Sequence, residues 1–239
     1  MSGRVLWVTG AGSGMGRASA VAAARSGRRV ALSGRREDAL AETTRLVREA
    51  GGEALVLPLE VGDAAAVGQA REQVAARWGR VDDLVLAAGL NNPRRAWADQ
   101  SVSTFSEVVT TNLTGVVTVI DAALPDLREA GGQVVVVSSY SGWRFSPGAG
   151  VAYSSSKVAL TMVCQTLNAQ EAGHGVRACH LCPGDVDTDF LRLRPQVPGA
   201  EARAVMLTPD DVARAVLFVL DSPAHVRIDE LVISPVSQT

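Results

Sequence analysis

Short apolar runs alternate with longer amphipathic stretches from one end of this chain to the other, and that rhythm narrows its possible folds more than any other feature. The apolar runs predict strands over 5–8, 29–32, 54–57, 83–87, 133–137, 176–181 and 230–233. Between them, apolar positions at helical spacing predict helices over 15–26, 37–50, 64–78, 103–128, 151–172 and 210–220. Alternation throughout implies an α/β fold: a doubly wound, seven-stranded, mainly parallel sheet with helices on both faces. The unbroken run Val134-Val135-Val136-Val137 suits a strand buried on both sides. At 239 residues, with no repeat, low-complexity segment or linker, the chain reads as one domain, 1–239, able to bury a sizeable core. Gly51 and Gly173 stand where helix ends prefer glycine, and Asp63 and Thr208-Pro209 where helices start.

One segment breaks the rhythm. Residues about 187–207 form a long connection with prolines at 195 and 198. It follows a strand C-terminus, the edge at which open α/β sheets bind ligands, so it reads as a lid over a binding site; a tolerated surface insertion is the alternative.

Composition excludes several classes of function. A net charge of −2 gives no reason to expect nucleic acid or an anionic membrane as partner. No apolar run stands out as membrane-spanning, and no signal-peptide pattern precedes the first strand, so a cytoplasmic protein is expected. Three cysteines do not make a disulfide framework. Cys179 and Cys182 have Cys-x-x-Cys spacing around His180, but they sit inside a predicted strand, where residues three apart face opposite ways. No metal is expected there. His174 and His225 read as surface or loop histidines.

The first strand runs through Thr9 into Gly10-Ala11-Gly12-Ser13-Gly14-Met15-Gly16, and a helix follows. Glycines at such a turn let the backbone approach a pyrophosphate, and the helix N-terminus offers unpaired N–H groups and a favourable dipole. That context, between first strand and first helix, is what a Rossmann-type dinucleotide fold requires, although the strict G-x-G-x-x-G pattern is not met. The second strand ends at Ser33-Gly34-Arg35-Arg36. A free ribose 2′-OH calls for a carboxylate there; two arginines suit a 2′-phosphate. NADP(H) is therefore favoured over NAD(H), unless the arginines only solvate a loop.

Tyr153 and Lys157 stand four residues apart near the start of a predicted helix, on one face and one turn apart. An ammonium near a phenol favours the phenolate, so Lys157 is expected to lower the Tyr153 pKa toward the range useful for proton transfer. Taken alone, the pair could equally be two surface residues.

Together these motifs resemble the short-chain dehydrogenase/reductase family from Thr9 to about Thr188. Thr9, Gly10, Gly14 and Gly16 match its Thr-Gly-x-x-x-Gly-x-Gly, and Tyr153 with Lys157 its Tyr-x-x-x-Lys. Ser139 sits where the family keeps its catalytic serine, with Ser138 beside it in a loop about one residue longer than usual. Asn112, in Thr111-Asn112-Leu113-Thr114-Gly115, matches the helix asparagine of its proton relay. Pro183-Gly184, followed by Val186 and Thr188, resembles the motif that holds the nicotinamide side. Two departures are visible. The usual Asn-Asn-Ala-Gly after the fourth strand reads Leu86-Ala87-Ala88-Gly89, losing side-chain hydrogen bonds but leaving Ala88 and Gly89 room for the adenosine ribose. Glu60, next to Val61, replaces the aspartate usual near the adenine.

The resemblance implies NADP(H)-dependent interconversion of a small-molecule carbonyl and a primary or secondary alcohol. Tyr153 would exchange the proton, Ser139 would polarise the oxygen, Lys157 would act on the tyrosine and the nicotinamide ribose, and Asn112 would hold a water leading to solvent. Cofactor contacts are expected from Gly12, Ser13 and Met15 as well as the residues already named. Pocket walls are expected from Asn91, Tyr140, Ser141, Trp143, Phe145, Phe190, Leu191 and Met206, with Arg144, Arg192 and Arg194 as possible readers of a carboxylate or phosphate. A dimer or tetramer is implied. The alternatives are an NAD-linked alcohol dehydrogenase of the same family and a non-catalytic dinucleotide sensor.

Overall fold

The structure, a computed structural model, describes residues 3–238. Seven strands form one sheet: β1 (Val5–Thr9), β2 (Arg29–Gly34), β3 (Ala54–Pro58), β4 (Asp83–Leu86), β5 (Gln133–Val137), β6 (Arg177–Pro183) and β7 (Glu230–Ile233). Their order is β3-β2-β1-β4-β5-β6-β7, and every pairing is parallel, where a mainly parallel sheet was expected. The helices are α1 (Gly14–Arg25), α2 (Glu37–Glu49), α3 (Ala64–Trp78), α4 (Val102–Val109), α5 (Gly115–Ala130), α6 (Tyr140–Trp143), α7 (Val151–Glu171), α8 (Ala200–Ala204) and α9 (Pro209–Leu220).

The sheet is buried on both faces because its strands carry apolar side chains at consecutive positions. Val134 and Val136 enter one core cluster with side chains of α3, α5 and α7, while Val135 and Val137 enter the other with those of α1, α2 and α9. Trp7 is fully buried and donates its indole N–H to the Ser33 hydroxyl at 2.7 Å, so its one polar atom is satisfied in the core.

Helix ends follow chemistry legible in the chain. The Asp63 carboxylate accepts from the amides of Ala65 and Ala66, at 3.0 and 3.1 Å. Thr208 and Asp211 form a reciprocal capping box on α9. The glycine stop after α7 differs from expectation: the left-handed residue is Gly175 (φ 73°), because a 3₁₀ turn over Ala172–His174 carries the helix past Gly173.

The helix predicted over 103–128 is interrupted by a π-turn, Thr110–Thr114, which joins α4 to α5. An 18-residue window within Val102–Ala130 has a mean hydropathy of 1.4, so by length and composition this helix could cross a membrane, contrary to expectation. Its apolar face instead packs on the sheet through Val116, Val119, Ile120, Ala123 and Leu127.

Carboxylates tie the N-terminal edge of the sheet. Asp83 is fully buried and accepts two guanidinium hydrogen bonds from Arg4, at 2.8 and 2.9 Å, and one from the Gln133 amide at 2.9 Å. Its neighbour Asp82 accepts from the Val5 amide at 2.7 Å and from Arg80 at 2.8 Å. β1, β4 and β5 therefore start from one hydrogen-bonded knot. Asp83→Ala leaves the buried Gln133 amide without a partner and the Arg4 guanidinium with only the Asp82 carbonyl, and is expected to cost about 2–3 kcal/mol in urea unfolding without altering cofactor affinity.

Candidate active site

Order in the sheet reverses between β1 and β4, and the loops leaving their C-terminal ends open a crevice there. A cavity of about 420 Å³ occupies it. Its floor is the glycine turn, with Gly10 and Gly12 through Gly16 all exposed to it. A Cβ on Gly10 (φ 64°) would lie 2.6 Å from the Ala87 carbonyl oxygen, and one on Gly16 would strike the Gly10 carbonyl. Only glycine allows this close backbone packing. Ser13, at the N-cap of α1, makes no side-chain capping hydrogen bond, so the first amides of that helix face the cavity. These are the features a dinucleotide pyrophosphate needs, and the residues present fit such a group.

Arg35, Arg36, Glu60 and Val61 stand at the β2 end of this cavity, and Ala88, Gly89 and Thr188 also line it. Arg35 lies 3.6 Å from Glu60; the arginine is exposed and the glutamate half-exposed, so the pair holds neither side chain firmly. The loop after β4 keeps its shape without the missing asparagines. Thr9 accepts a hydrogen bond from the Ala88 amide at 3.3 Å, and the Asn112 amide grips Leu90, accepting from its N–H at 2.7 Å and donating to its carbonyl at 2.9 Å. Asn112 spends its second N–H on the Ser156 hydroxyl, at 3.1 Å. Both donors are thus used within the protein, and Asn112 sits in the π-turn, a distortion that often marks functional positions. A Cβ on Gly89 would lie 3.8 Å from Asn112 Oδ1 and 3.9 Å from Lys157 Nζ, which places the three side by side.

A second cavity, of about 320 Å³, opens from the first. Met15, Ser138, Tyr153, Thr188 and Phe190 border both, so Tyr153 stands at the junction. Pro183, Gly184 and Val186, expected at the cofactor, line the second cavity, together with Ser139 and the expected wall residues Asn91, Tyr140, Ser141 and Leu191. Three expected wall residues do not. Phe145 is 86% exposed, Trp143 packs edge-on to Tyr140 with the Arg144 guanidinium 4.2 Å from its ring centroid, and Met206, near the end of the lid, lines neither cavity. The lid itself is a closed loop: Val186 pairs with Leu207 at its base, and Phe190 stands 6.0 Å from the Tyr153 ring.

Between the two serines, geometry distinguishes roles. Ser138 donates to the Lys157 carbonyl oxygen at 3.2 Å, whereas Ser139 stands by the Tyr153 hydroxyl and helps to stabilise its anion. The expected effect of Lys157 on the tyrosine is not seen. Burial holds Tyr153 above the ordinary phenol value, and the groups pulling it back are Ser139, Arg95 and Arg194. Lys157 Nζ is 5.8 Å from the phenol ring centroid and donates to the Val137 carbonyl at 3.0 Å. Burial depresses the lysine itself to about 8.

Arg95 and Gln238 also line the second cavity and were not anticipated. Gln238 reaches back from beyond β7 to accept a hydrogen bond from the Asp185 amide at 2.8 Å. On the same sheet, His180, Cys182 and Glu230 bring possible metal-ligand atoms within 4.8 Å of one another. His180 Nδ1 lies 3.1 Å from Glu230 and 3.3 Å from the Cys182 sulfur, and burial pushes that thiol up to about 12, so the three read as mutual hydrogen-bond partners joining β6 to β7.

Comparison with known proteins agrees with the fold. The chain matches the short chain dehydrogenase family over residues 4–197, and it belongs to that family. It is 33% identical over 241 residues to glycine betaine reductase ATRR of Emericella nidulans, covering 98% of this chain but only 19% of that protein's length. An alcohol dehydrogenase from Thermococcus sibiricus, solved with 5-hydroxy-NADP, is 34% identical with a TM-score of 0.88, covering 99% of this chain and 98% of that one. A short-chain dehydrogenase from Mycobacterium paratuberculosis bound to NAD is 26% identical with a TM-score of 0.85, covering 98% and 97%.

Proposed function

We propose that this chain is an NADP(H)-dependent oxidoreductase that interconverts a carbonyl and a primary or secondary alcohol on a small molecule. The observation that carries this reading is the junction of two cavities at Tyr153, with Ser139 on one side and Lys157 on the other. A bound nicotinamide dinucleotide supplies or accepts the hydride. Tyr153 donates its proton to the carbonyl oxygen in reduction, and its raised pKa keeps it protonated at neutral pH for that task. Ser139 hydrogen-bonds the same oxygen as charge develops on it. Lys157, with a pKa of about 8, gives up and regains a proton near neutral pH, as renewal of the tyrosine proton requires. Asn112 acts by positioning, holding the loop after β4 and the turn of α7 that carries Ser156.

Arg35 and Arg36 support the 2′-phosphorylated cofactor. Glu60 beside Arg35 is the one feature favouring NAD(H), since a carboxylate at this rim suits a free ribose hydroxyl. Parallel fluorescence titration with NADPH and NADH separates the two. Tighter binding of NADPH is expected, and Arg35→Gln should weaken NADPH by about 10-fold or more while moving NADH little. NADH preference would select the NAD-linked reading; binding of neither would remove the dinucleotide assignment. Assembly as a dimer or tetramer is supported by Val117 on α5 and by Val158 and Met162 on α7, all exposed on the outer faces.

A further inference from the structure

The polar lining of the second cavity contains one cation without a partner. Of the arginines whose Nε is buried without a hydrogen bond, Arg28 and Arg177 use their terminal nitrogens elsewhere, Arg28 on Ser26 and Asp221, Arg177 on the carbonyls of Pro223 and Val226. Arg95 makes no hydrogen bond or ion pair at all among the described residues, although it is more than half buried. Arg194, the other arginine at this cavity, is taken by the Asp185 carboxylate. Arg192 is paired with Asp189, and Arg144 lies on Trp143. The lining therefore carries one uncompensated positive charge.

The fold places that charge next to the chemistry. Arg95 lies against Gly150, the residue that starts α7 three positions before Tyr153. Gly150 has φ 86°, and a Cβ there would come 2.7 Å from the Arg95 Cβ. Glycine at this position brings the loop after β4 onto the helix start. Arg95 then acts electrostatically on Tyr153, and the two line one cavity. A guanidinium partly withdrawn from water, its Nε buried without a partner, is costly, and the cost is relieved when an oxyanion enters to accept its hydrogen bonds.

We infer that the second cavity takes a carbonyl or alcohol substrate bearing a compact anionic group such as a carboxylate, and that Arg95 binds that group while Tyr153 faces the reacting carbon. This rests on the proposed role of Tyr153. Asn91 commits one N–H to the Ala149 carbonyl at 3.2 Å and its oxygen to the Asn92 amide at 2.8 Å, so beside the Arg95 cation it has a single neutral N–H to offer.

The test compares acids with their methyl esters: glyoxylate and 4-oxobutanoate, each against its ester, with saturating NADPH. Wild type should prefer the acid of at least one pair by tenfold or more in kcat/KM, carried by KM. Arg95→Gln should bring that ratio near one, and Arg95→Lys should keep part of it. Equal turnover of acid and ester by wild type overturns the inference. So does an equal loss on both in Arg95→Gln with a displaced pH profile, which would make Arg95 a positioning residue acting through Tyr153. If wild type reduces none of them, calorimetry on the NADP⁺-loaded protein decides, using 4-hydroxybutanoate against its amide. Arg95-dependent preference for the acid sustains the anion site while the tyrosine role falls; equal or absent binding of both overturns the site.

Discussion

Tyr153→Phe is expected to lose about 10²–10⁴-fold in turnover while its affinity for reduced cofactor stays within about twofold of wild type. The substitution removes only the hydroxyl. The ring keeps its place against Phe190, 6.0 Å away between centroids, so neither cavity changes shape. What disappears is the one acidic proton at the junction, and with it the group that Ser139 faces. The loss corresponds to about 3–5 kcal/mol of transition-state stabilisation. Steady-state rates with a responsive carbonyl compound, beside a fluorescence titration of the same preparation, give both quantities. Retained turnover would mean that another group supplies the proton, and the catalytic reading of the junction would fall.

Lys157 makes the second large effect, and it concerns stability. Below about pH 8 the amine is protonated folded and unfolded alike, and burial makes the folded state bear the cost. Between about 8 and the ordinary 10.5, the folded chain has shed a proton that the unfolded chain still binds, so stability rises with pH across that window. The slope approaches about 1.4 kcal/mol per pH unit, or about 3 kcal/mol in all. Lys157→Met lacks this dependence. The raised Tyr153 pKa acts above pH 10 in the opposite direction, but it is present in both proteins and cancels in their difference. Urea unfolding without cofactor, at several pH values from about 7.5 to 10.5, should show the stability of wild type relative to Lys157→Met climbing by about that amount. A pH-independent difference would mean that the ammonium stays hydrated in the folded protein.

Much of this was legible in the chain. Glycines between a first strand and a first helix have few other uses, and a run of four valines can be buried only from both sides. The family motifs then named Tyr153, Lys157, Ser139 and Asn112, and three of these line the cavities. What escaped depends on geometry with no local pattern. The π-turn around Asn112 leaves no mark on apolar periodicity, because the helix resumes on the same face. Arg95 sits in an aperiodic loop, where a sequence gives no reason to prefer it over Arg94. Trp143 and Phe145 looked like pocket walls because they are aromatic and near the serine, yet at the end of α6 and just beyond it both are exposed. Spacing showed that Lys157 shares a face with Tyr153, but not that burial would outweigh its charge.

The two edges of the sheet divide the labour of the molecule. Asp82 and Asp83 knot the N-terminal ends of β1, β4 and β5, while both cavities open at the other end, about four to five residues or 13–17 Å along each strand. Changes that far apart combine almost independently. Mutations in the lid, in the loop holding Arg95 or around Gln238 can therefore explore new substrates without drawing on the same thermal margin that the carboxylate knot supplies. A chain arranged in this way can diverge in what it acts on while its folding stays the same.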